Sequence, residues 1–517
     1  MRSTFHGLEV SRRGIVTQQA ALYTTGHNIS NASTEGYSRQ TVNMVAARPL
    51  ESYGLMRSNV PGQMGMGVEF SSITRIREKF LDDQFRNENK ALGNYTMQKD
   101  TLEKLEKIVS EPTDTGFRTV LNEFFNAWSD LSKTPESSDS RKIVREQALA
   151  LADSLNHTSK QLNDLKTDIE TNMNIKLLDV NSMLGTISQM NTEITRVEGL
   201  GDNANDLRDQ RDLLVDQISK VININVTELA SGYQVTMGGN VLVEGGTVPQ
   251  ALTMEGLEQA FTEGIFNDGE MYGLFVSRDR FVEGYIKDLD KLANTIANGD
   301  VEITLPAGTL LPDGVVLDGL PAGTREITAD TKVVVKGLNG LHQLGYTLSG
   351  EQGIPFFTDS SGATAGLTAA NFSVNPAIVT DAFKIATAMK TTTDEDGNVS
   401  AVIGNNSLAV LFSQTRDAKF EFGSNGVEDK NTLQAFFSSV VGQLGVQTKE
   451  AVRQTSNAQS LVDQVDGRRQ SVSGVSLDEE MSNLIKFQHA YNAAARNMTT
   501  IDEMLDRIIN GMGVVGR

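Results

Sequence analysis

Residues 477–509, LDEEMSNLIKFQHAYNAAARNMTTIDEMLDRII, set Leu477, Met481, Leu484, Gln488, Tyr491, Ala495, Met498, Asp502, Leu505 and Ile509 at alternating steps of four and three. Near the other end of the sequence, Leu8, Ile15, Leu22 and Ile29 recur every seven residues. Both spacings describe helices that pack side by side along a seam. Neither seam is rich. Gln488 and Asp502 interrupt the first, and Arg12, Gln19 and Gly26 fill the intermediate positions of the second. Short helices are marginal in water on their own. These two are therefore expected to stabilise each other, or neighbouring copies, as the ends of a polymer subunit that meet in the wall of a tube.

The 517 residues are enough for a buried core spread over about three domains. Hydrophobic content of 39% and charged content of 22% are those of an ordinary globular protein. A net charge of −20 argues against a nucleic-acid partner, which would need clustered Lys and Arg. With no cysteine, disulfides, thiol catalysis and cysteine-ligated zinc are excluded. The opening Met1-Arg2-Ser3-Thr4-Phe5-His6-Gly7 carries no apolar signal core, and no run of about 18 apolar residues occurs. Neither a cleaved secretory leader nor a membrane contact is expected.

Between the ends, the pattern is helices, then strands, then helices. A first helix is expected over Ser3 to Ser30, an extended stretch over Thr41–Val45, and helices over Glu78 to Val109 and Phe117 to Leu131. The longest periodic run follows. Val144, Ala148, Leu151, Leu155, Thr158, Leu162, Leu165 and Ile169 keep a heptad that resumes in another phase at Leu177, Val180, Leu184, Ile187 and Ile194. A helix from Ser140 to Val197 would be about 85–90 Å long, a rod suited to bundles and filament subunits. After a helix over Asn205 to Val221 the period drops to two, with a hairpin read at 233–243 around Gly238-Gly239. Phe281 to Ala297 returns to helix. Residues 299–337 are strand-like, with Leu305-Pro306-Ala307-Gly308-Thr309 echoed at Leu320-Pro321-Ala322-Gly323-Thr324 as turns. Asn431 to Gln470 is a further long helix, and Ser476 with Glu479 forms a capping-box pattern before the last one.

No catalytic constellation emerges. The five histidines, His6, His27, His157, His342 and His489, never stand four apart, and Trp128 reads as core. No Gly-x-Ser-x-Gly elbow, Walker loop or G-x-G-x-x-G following a strand appears. Asp394-Glu395-Asp396-Gly397-Asn398 resembles the start of a calcium loop, but Val399 and Asn405 stand where a glycine and a carboxylate are required. A hairpin turn is the simpler reading, and no cofactor or metal is expected.

The run Gly26-His27-Asn28-Ile29-Ser30-Asn31-Ala32-Ser33-Thr34-Glu35-Gly36-Tyr37-Ser38-Arg39-Gln40 resembles the shared signature of bacterial flagellar rod, hook and hook-associated axial proteins. Phe124-Phe125-Asn126-Ala127-Trp128 with Pro135 and Arg141, Asn339-Gly340-Leu341-His342, and the tail from Gly474 through Arg496 are similar to the members that join hook to filament. The resemblance implies a structural subunit with no enzymatic activity, placed outside the cell on the flagellum. It implies export by the flagellar type III apparatus, self-assembly into a ring, and contacts with hook protein and with a second junction protein or flagellin. It also implies an export chaperone on the C-terminal helix. On this reading Leu8, Ile15, Leu22 and Ile29 form the N-terminal assembly seam. Leu477, Met481, Leu484, Tyr491, Met498, Leu505 and Ile509 form the C-terminal seam and chaperone segment.

The expected fold is mainly α with β-rich insertions: a long antiparallel helical bundle built from both ends of the chain, with one or two small β domains in the middle. The expected parts are 1–35 with 477–517 as paired helices, 36–224 with 272–298 and 405–476 as the bundle, 225–271 as a hairpin segment, and 299–404 as an inserted β domain. Within the last, 299–337 reads as a lineage-specific insertion that could be removed. A hook or distal-rod subunit is the nearest alternative. A secreted stalked adhesin or enzyme with its site in 225–405 is a more distant one.

Overall fold

The computed structural model of the protein describes residues 5–49, 65–109, 116–321, 323–393, 399–423 and 429–511. Helix α1 (His6–Ser30) leads to strands β1 (Gln40–Ala46) and β2 (Val68–Arg75), then to helices α2 (Lys79–Val109), α3 (Phe117–Lys133), α4 (Ser138–Glu198) and α5 (Asn205–Val221). Strands β3 (Asn225–Leu229), β4 (Gly232–Met237) and β5 (Asn240–Glu244) precede α6 (Met254–Thr262), α7 (Glu270–Val276), a π-helical turn Ser277–Val282, and α8 (Glu283–Asn298). Next come β6 (Asp300–Leu305), β7 (Thr331–Lys336), α9 (Gly337–His342), β8 (Phe357–Thr358), β9 (Ser373–Val374) and α10 (Pro376–Thr380). The chain continues through β10 (Thr391–Thr393), β11 (Val399–Ala401), α11 (Ser407–Gln414), β12 (Phe420–Glu421) and β13 (Lys430–Asn431) to α12 (Leu433–Ser473) and α13 (Leu477–Gly511). The fold is mainly helical: the N- and C-terminal helices pack together, and small antiparallel sheets occupy the middle of the sequence.

The long helix α4 starts two residues before and ends one residue after the Ser140–Val197 span expected for it. Its stripe Val144, Ala148, Leu151, Leu155, Leu162, Leu165 and Ile169 is buried, as are Val180, Leu184, Ile187 and Ile194. Met173, fully buried, fills the step where the heptad changes phase, so one continuous stripe replaces the two expected. The tip of the β10–β11 hairpin, including Asp394 to Asn398, lies outside the described residues, as does Pro112.

Two compact units result. One comprises Met1–Tyr95, Asn174–Gly273 and Thr455–Arg517; the other Thr96–Met173 and Leu274–Gln454. The four-part division read from the sequence cuts across them. Residues 225–271 belong with the terminal helices, and 299–404 shares its unit with α3, the first part of α4 and α8. The segment 299–337 is also more than a removable insertion. Asp300 pairs with Lys336, so its ends are adjacent. Yet β6 also pairs with β12 at Phe420, and Val301, Ile303, Leu305, Val333 and Val335 are buried. Val315 to Leu317 forms no strand; isolated bridges at Leu310–Glu326 and Asp318–Val334 hold the connection instead. Leu310 N donates to Met389 O (2.8 Å) and Leu311 and Ile327 are buried, so the segment is stitched into the unit's core.

The centre of that second unit is aromatic. Trp128 stacks on Phe412 (4.0 Å between centroids, 11°) and tilts against Phe356 (5.6 Å), while Phe357 stacks on Phe372 (4.6 Å). His342 meets Phe356 and Phe412 edge-on (5.3 and 6.0 Å). Its Nε2 accepts from Ala386 N (2.8 Å), so Nδ1 carries the proton and donates to Ile354 O. Arg141, fully buried, donates to Pro135 O (2.7 Å), Thr387 Oγ1 (2.8 Å) and Ile385 O. Asn339 clamps Phe357 with two bonds of 2.7 Å. Arg141, Asn339 and His342, which carry part of the family resemblance, therefore satisfy buried backbone around the aromatic cluster.

Burial, with Arg141 nearby, pushes the His342 imidazole down to about 4. The unfolded chain binds the extra proton between the ordinary value of 6.5 and 4, so the contribution of His342 is full above pH 6.5 and is lost as pH falls towards 4. In urea unfolding followed by Trp128 fluorescence, wild type is expected to lose about 3 kcal/mol relative to His342→Gln over this range. A difference independent of pH would contradict a buried neutral His342.

Candidate functional site

Helices α1 and α13 lie antiparallel and in contact. A Cβ on Gly7 would stand 2.8 Å from Ile501 Cδ1, and one on Gly14 3.5 Å from Ala494 Cβ. Asn497 donates to Ser11 Oγ (3.0 Å), and Asn28 to Glu480 (3.0 Å). The face of α1 towards α13 thus steps through Gly7, Ser11, Gly14 and Asn28, one position round from the column Leu8, Ile15, Leu22 and Ile29. Those four are half-buried at its side; the deeply buried residues of α1 are Ser11, Thr17, Ala21, Thr24, Thr25 and Asn28. A helical glycine costs about 1 kcal/mol against alanine. Here it lets the backbone of α1 approach close enough to seat Ile501. The β1–β2 hairpin covers another side of α1: Thr17 Oγ1 donates to Val68 O (3.4 Å), and Arg13 pairs with Glu69 (3.3 Å).

On α13 the sequence seam divides. Leu484, Tyr491 and Met498 are half-buried and Leu505 is buried, and these share the α1-facing side with Glu480, Phe487, Ala494 and Ile501. That second column explains Gln488 and Asp502, which are exposed and stand outside the intramolecular seam. Leu477, Met481 and Ile509 are 50%, 59% and 66% exposed. So the structure covers four of the seven apolar residues of the C-terminal column and leaves the other three exposed.

The end of the pair nearest Asn28 is closed by a polar clasp made from the signature segment. Asn28 Oδ1 accepts from Tyr37 OH (2.7 Å) and Gln40 N (3.0 Å), while its Nδ2 donates to Gln40 O (2.9 Å) and Glu480. Arg39 donates to Glu480 (2.8 Å) and Glu479 (2.7 Å), and its backbone N–H to Ser473 O (2.8 Å). Glu479, expected to reach back to Ser476, turns to Arg39 instead. Ser38 binds Asp209 through both its N–H (2.9 Å) and its hydroxyl (2.8 Å), and Gln40 Nε2 donates to Asp206 (2.7 Å). Burial and the carboxylates of Asp206, Asp209 and Glu480 raise the Tyr37 phenol, which stays a neutral donor.

Beneath the clasp sits a buried ion network that the sequence reading missed. Arg75 meets Asp209 and Asp212 (both 2.7 Å), and Arg77 meets Asp82 (2.7 Å). Arg86 meets Asp216 (2.7 Å), and Arg469 of α12 reaches the same carboxylate (2.7 Å). Tyr233 OH donates to Asp212 (2.7 Å). Burial alone would raise Asp212, but Arg77, Arg75 and Arg86 hold its carboxyl down at about 2. Burial and Asp212 push Tyr233 up to about 12. A usable signal existed: Asp209, Asp212 and Asp216 stand three and four apart on one face of an expected helix, with Arg75 and Arg77 two apart on an extended run. Among the described residues no group of three or more His, Asp or Glu is placed to hold a metal ion. No helix there is long and apolar enough to cross a membrane.

The chain that carries this helix pair and clasp is similar along its whole length to a known flagellar protein. Flagellar hook-associated protein 1 of Bacillus subtilis is 33% identical to it over the whole of both chains. The chain belongs to the flagellar hook-associated protein 1 family. The family model described as the flagellar hook-associated protein FlgK helical domain matches residues 102–299, and that of the flagellar basal body rod FlgEFG protein C-terminal matches 468–511. Family members of Salmonella typhimurium and Escherichia coli are 24% and 25% identical over 96% of this chain and 98% of theirs. The solved flagellar hook junction protein FlgK of Burkholderia pseudomallei shares the fold, with a TM-score of 0.53 and 14% identity over 76% of this chain and 100% of that one. The hook-associated protein 1 family is structural, not enzymatic, and the chain is a component of the flagellum.

Two substitutions separate the layers of this site. Asp212→Asn leaves arginines uncompensated and is expected to cost about 3–5 kcal/mol in chemical denaturation; an effect below roughly 1 kcal/mol would show the network to be peripheral. Glu480→Ala removes the acceptor of Asn28 and Arg39 while sparing the apolar seam. Tryptic cleavage at Lys486 and Arg496 is then expected to accelerate by roughly tenfold or more, the scale of a charged hydrogen bond, and an unchanged rate would remove the clasp from the account.

Proposed function

We propose that the chain joins the flagellar hook to the filament, its copies closing into a ring through the outer faces of α1 and α13. One observation carries this reading. On the side of α13 away from its seam, Leu477, Met481 and Ile485 form an exposed stripe, while Val16 and Tyr23 of α1 and Phe5 just before it are exposed as well. Apolar rows on both members of a pair suit burial against sister copies, with hook protein on one side and a second junction protein or flagellin on the other. The names of its relatives and the match of 468–511 to a rod-protein C-terminal model support a place among the axial proteins. We infer export by the flagellar type III route with α1 retained, since Gly7 and Ser11 already belong to the pair. Before assembly an export chaperone has the stripe Leu477, Met481 and Ile509 to cover without disturbing the pair. Leu484, Tyr491, Met498 and Leu505 become accessible to it only where α13 has left α1.

Met481→Asp with Ile485→Asp places two charges on the exposed stripe. The isolated chain is expected to unfold within about 0.5 kcal/mol of wild type, while ring formation and motility are lost. Normal motility in that variant would overturn the assigned surface.

A further inference from the structure

The terminal unit contains a cleft of about 970 Å³ beside the start of α13. Phe85, Leu213, Val462 and Val475 supply its apolar lining, and Glu35, Asp463 and Asp466 line it as well. Its cations are already engaged: Arg39 by Glu479 and Glu480, Arg77 and Arg469 by the aspartate network, and Lys220 by Glu270. Glu35, Asp463 and Asp466 pair with no described cation; Asp463 and Asp466 accept only from Gln459 (2.7 Å) and Gln470 (2.6 Å). The cleft therefore offers apolar surface with uncompensated negative charge.

We propose that this cleft receives residues 512–517 of a second copy, Met-Gly-Val-Val-Gly-Arg, with Val514 and Val515 on the apolar lining and Arg517 among the carboxylates. The inference rests on the assembly reading above and names one of its contacts. Reach decides between the chain's own segment and a neighbour's. The cleft adjoins Ser476 and Glu479, whereas residue 512 follows the far end of a 35-residue helix. That helix is about 52 Å long, and six residues span at most about 20 Å. The segment cannot return to its own cleft, so the donor is another molecule. The volume lies at the upper end of the range of ordinary ligand pockets, about 300–1,000 Å³, room enough for a short peptide. Such a contact joins one end of a helix pair to the opposite end of the next, and a head-to-tail contact of this kind repeats until it closes or runs on as a helix.

The absence of cysteine makes the test direct. The full chain carrying Val515→Cys and Asp463→Cys is oxidised under assembly conditions, with Val515→Cys and Leu200→Cys as the control, because Leu200 is 78% exposed and outside the cleft. The expected result is a ladder of disulfide-linked oligomers for the first pair and none for the control. Asp466→Lys added to the first pair is expected to lower the yield by roughly threefold, the scale of an exposed ion pair. Light scattering of the same samples separates the two claims. Oligomer mass without the ladder overturns the cleft contact and leaves the ring; a ladder whose mass keeps growing instead of reaching a plateau keeps the contact and overturns the closed ring; absence of both ladder and oligomer mass overturns both.

Discussion

Asp209, Asp212 and Asp216 on one face of α5 draw Arg75, Arg77, Arg86 and Arg469 into a single buried network. This constraint decides which parts of the chain share a core. Its members come from the β2 region, α2, α5 and α12, segments separated by hundreds of residues. A charge taken out of water must find its partner or cost several kcal/mol, so the arrangement punishes any other pairing of segments. Its strength lies less in net stabilisation than in the penalty for being wrong. The clasp of Asn28, Tyr37, Ser38, Arg39 and Gln40 is built directly on it, because Ser38 and Gln40 bind Asp209 and Asp206 of the same helix.

From that foundation the terminal pair extends with progressively less to hold it. Near the clasp, Asn28 and Glu480 are buried and charge-assisted bonds close the joint. Further out, contact depends on Gly7, Ser11 and Gly14 against Ala494, Asn497 and Ile501, small and partly polar residues that bury little apolar area. The larger apolar side chains Tyr23, Met481 and Ile485 are left exposed instead. A pair that keeps its bulk on the outside is a half-built interface. Ordering it costs entropy that the intramolecular seam offsets only in part, which couples its consolidation to contact with sister copies.

Much of this was legible in the sequence, and the omissions have physical causes. Helix positions could be read because Val144 to Ile194 and Leu477 to Ile509 repeat with a helical period, and Asn205 and Val221 bound α5 as expected. The α1 seam was displaced by one residue because hydrophobicity is a poor guide where backbones touch: Gly7, Gly14 and Ser11 score as polar or neutral, yet they form the contact. Gln488 and Asp502 looked like interruptions only because the column Glu480, Phe487, Ala494 and Ile501 starts with a glutamate. The arginine–aspartate network is invisible to periodicity, since its members come together through tertiary structure. For the same reason the segment 299–337, unlike any family pattern, could not be recognised as part of the core that Phe420 and Met389 complete.

The central claim is that the α1–α13 pair is fixed at its clasp and finished by other copies. Residue-resolved hydrogen exchange on the full-length monomer, repeated after assembly, measures this directly. The account expects protection in the monomer to be strongest near Asn28 and Glu480 and to decline towards Gly7 and Ile501, becoming uniformly high in the assembled state. Uniformly strong protection along both helices of a demonstrated monomer, unchanged on assembly, would contradict it.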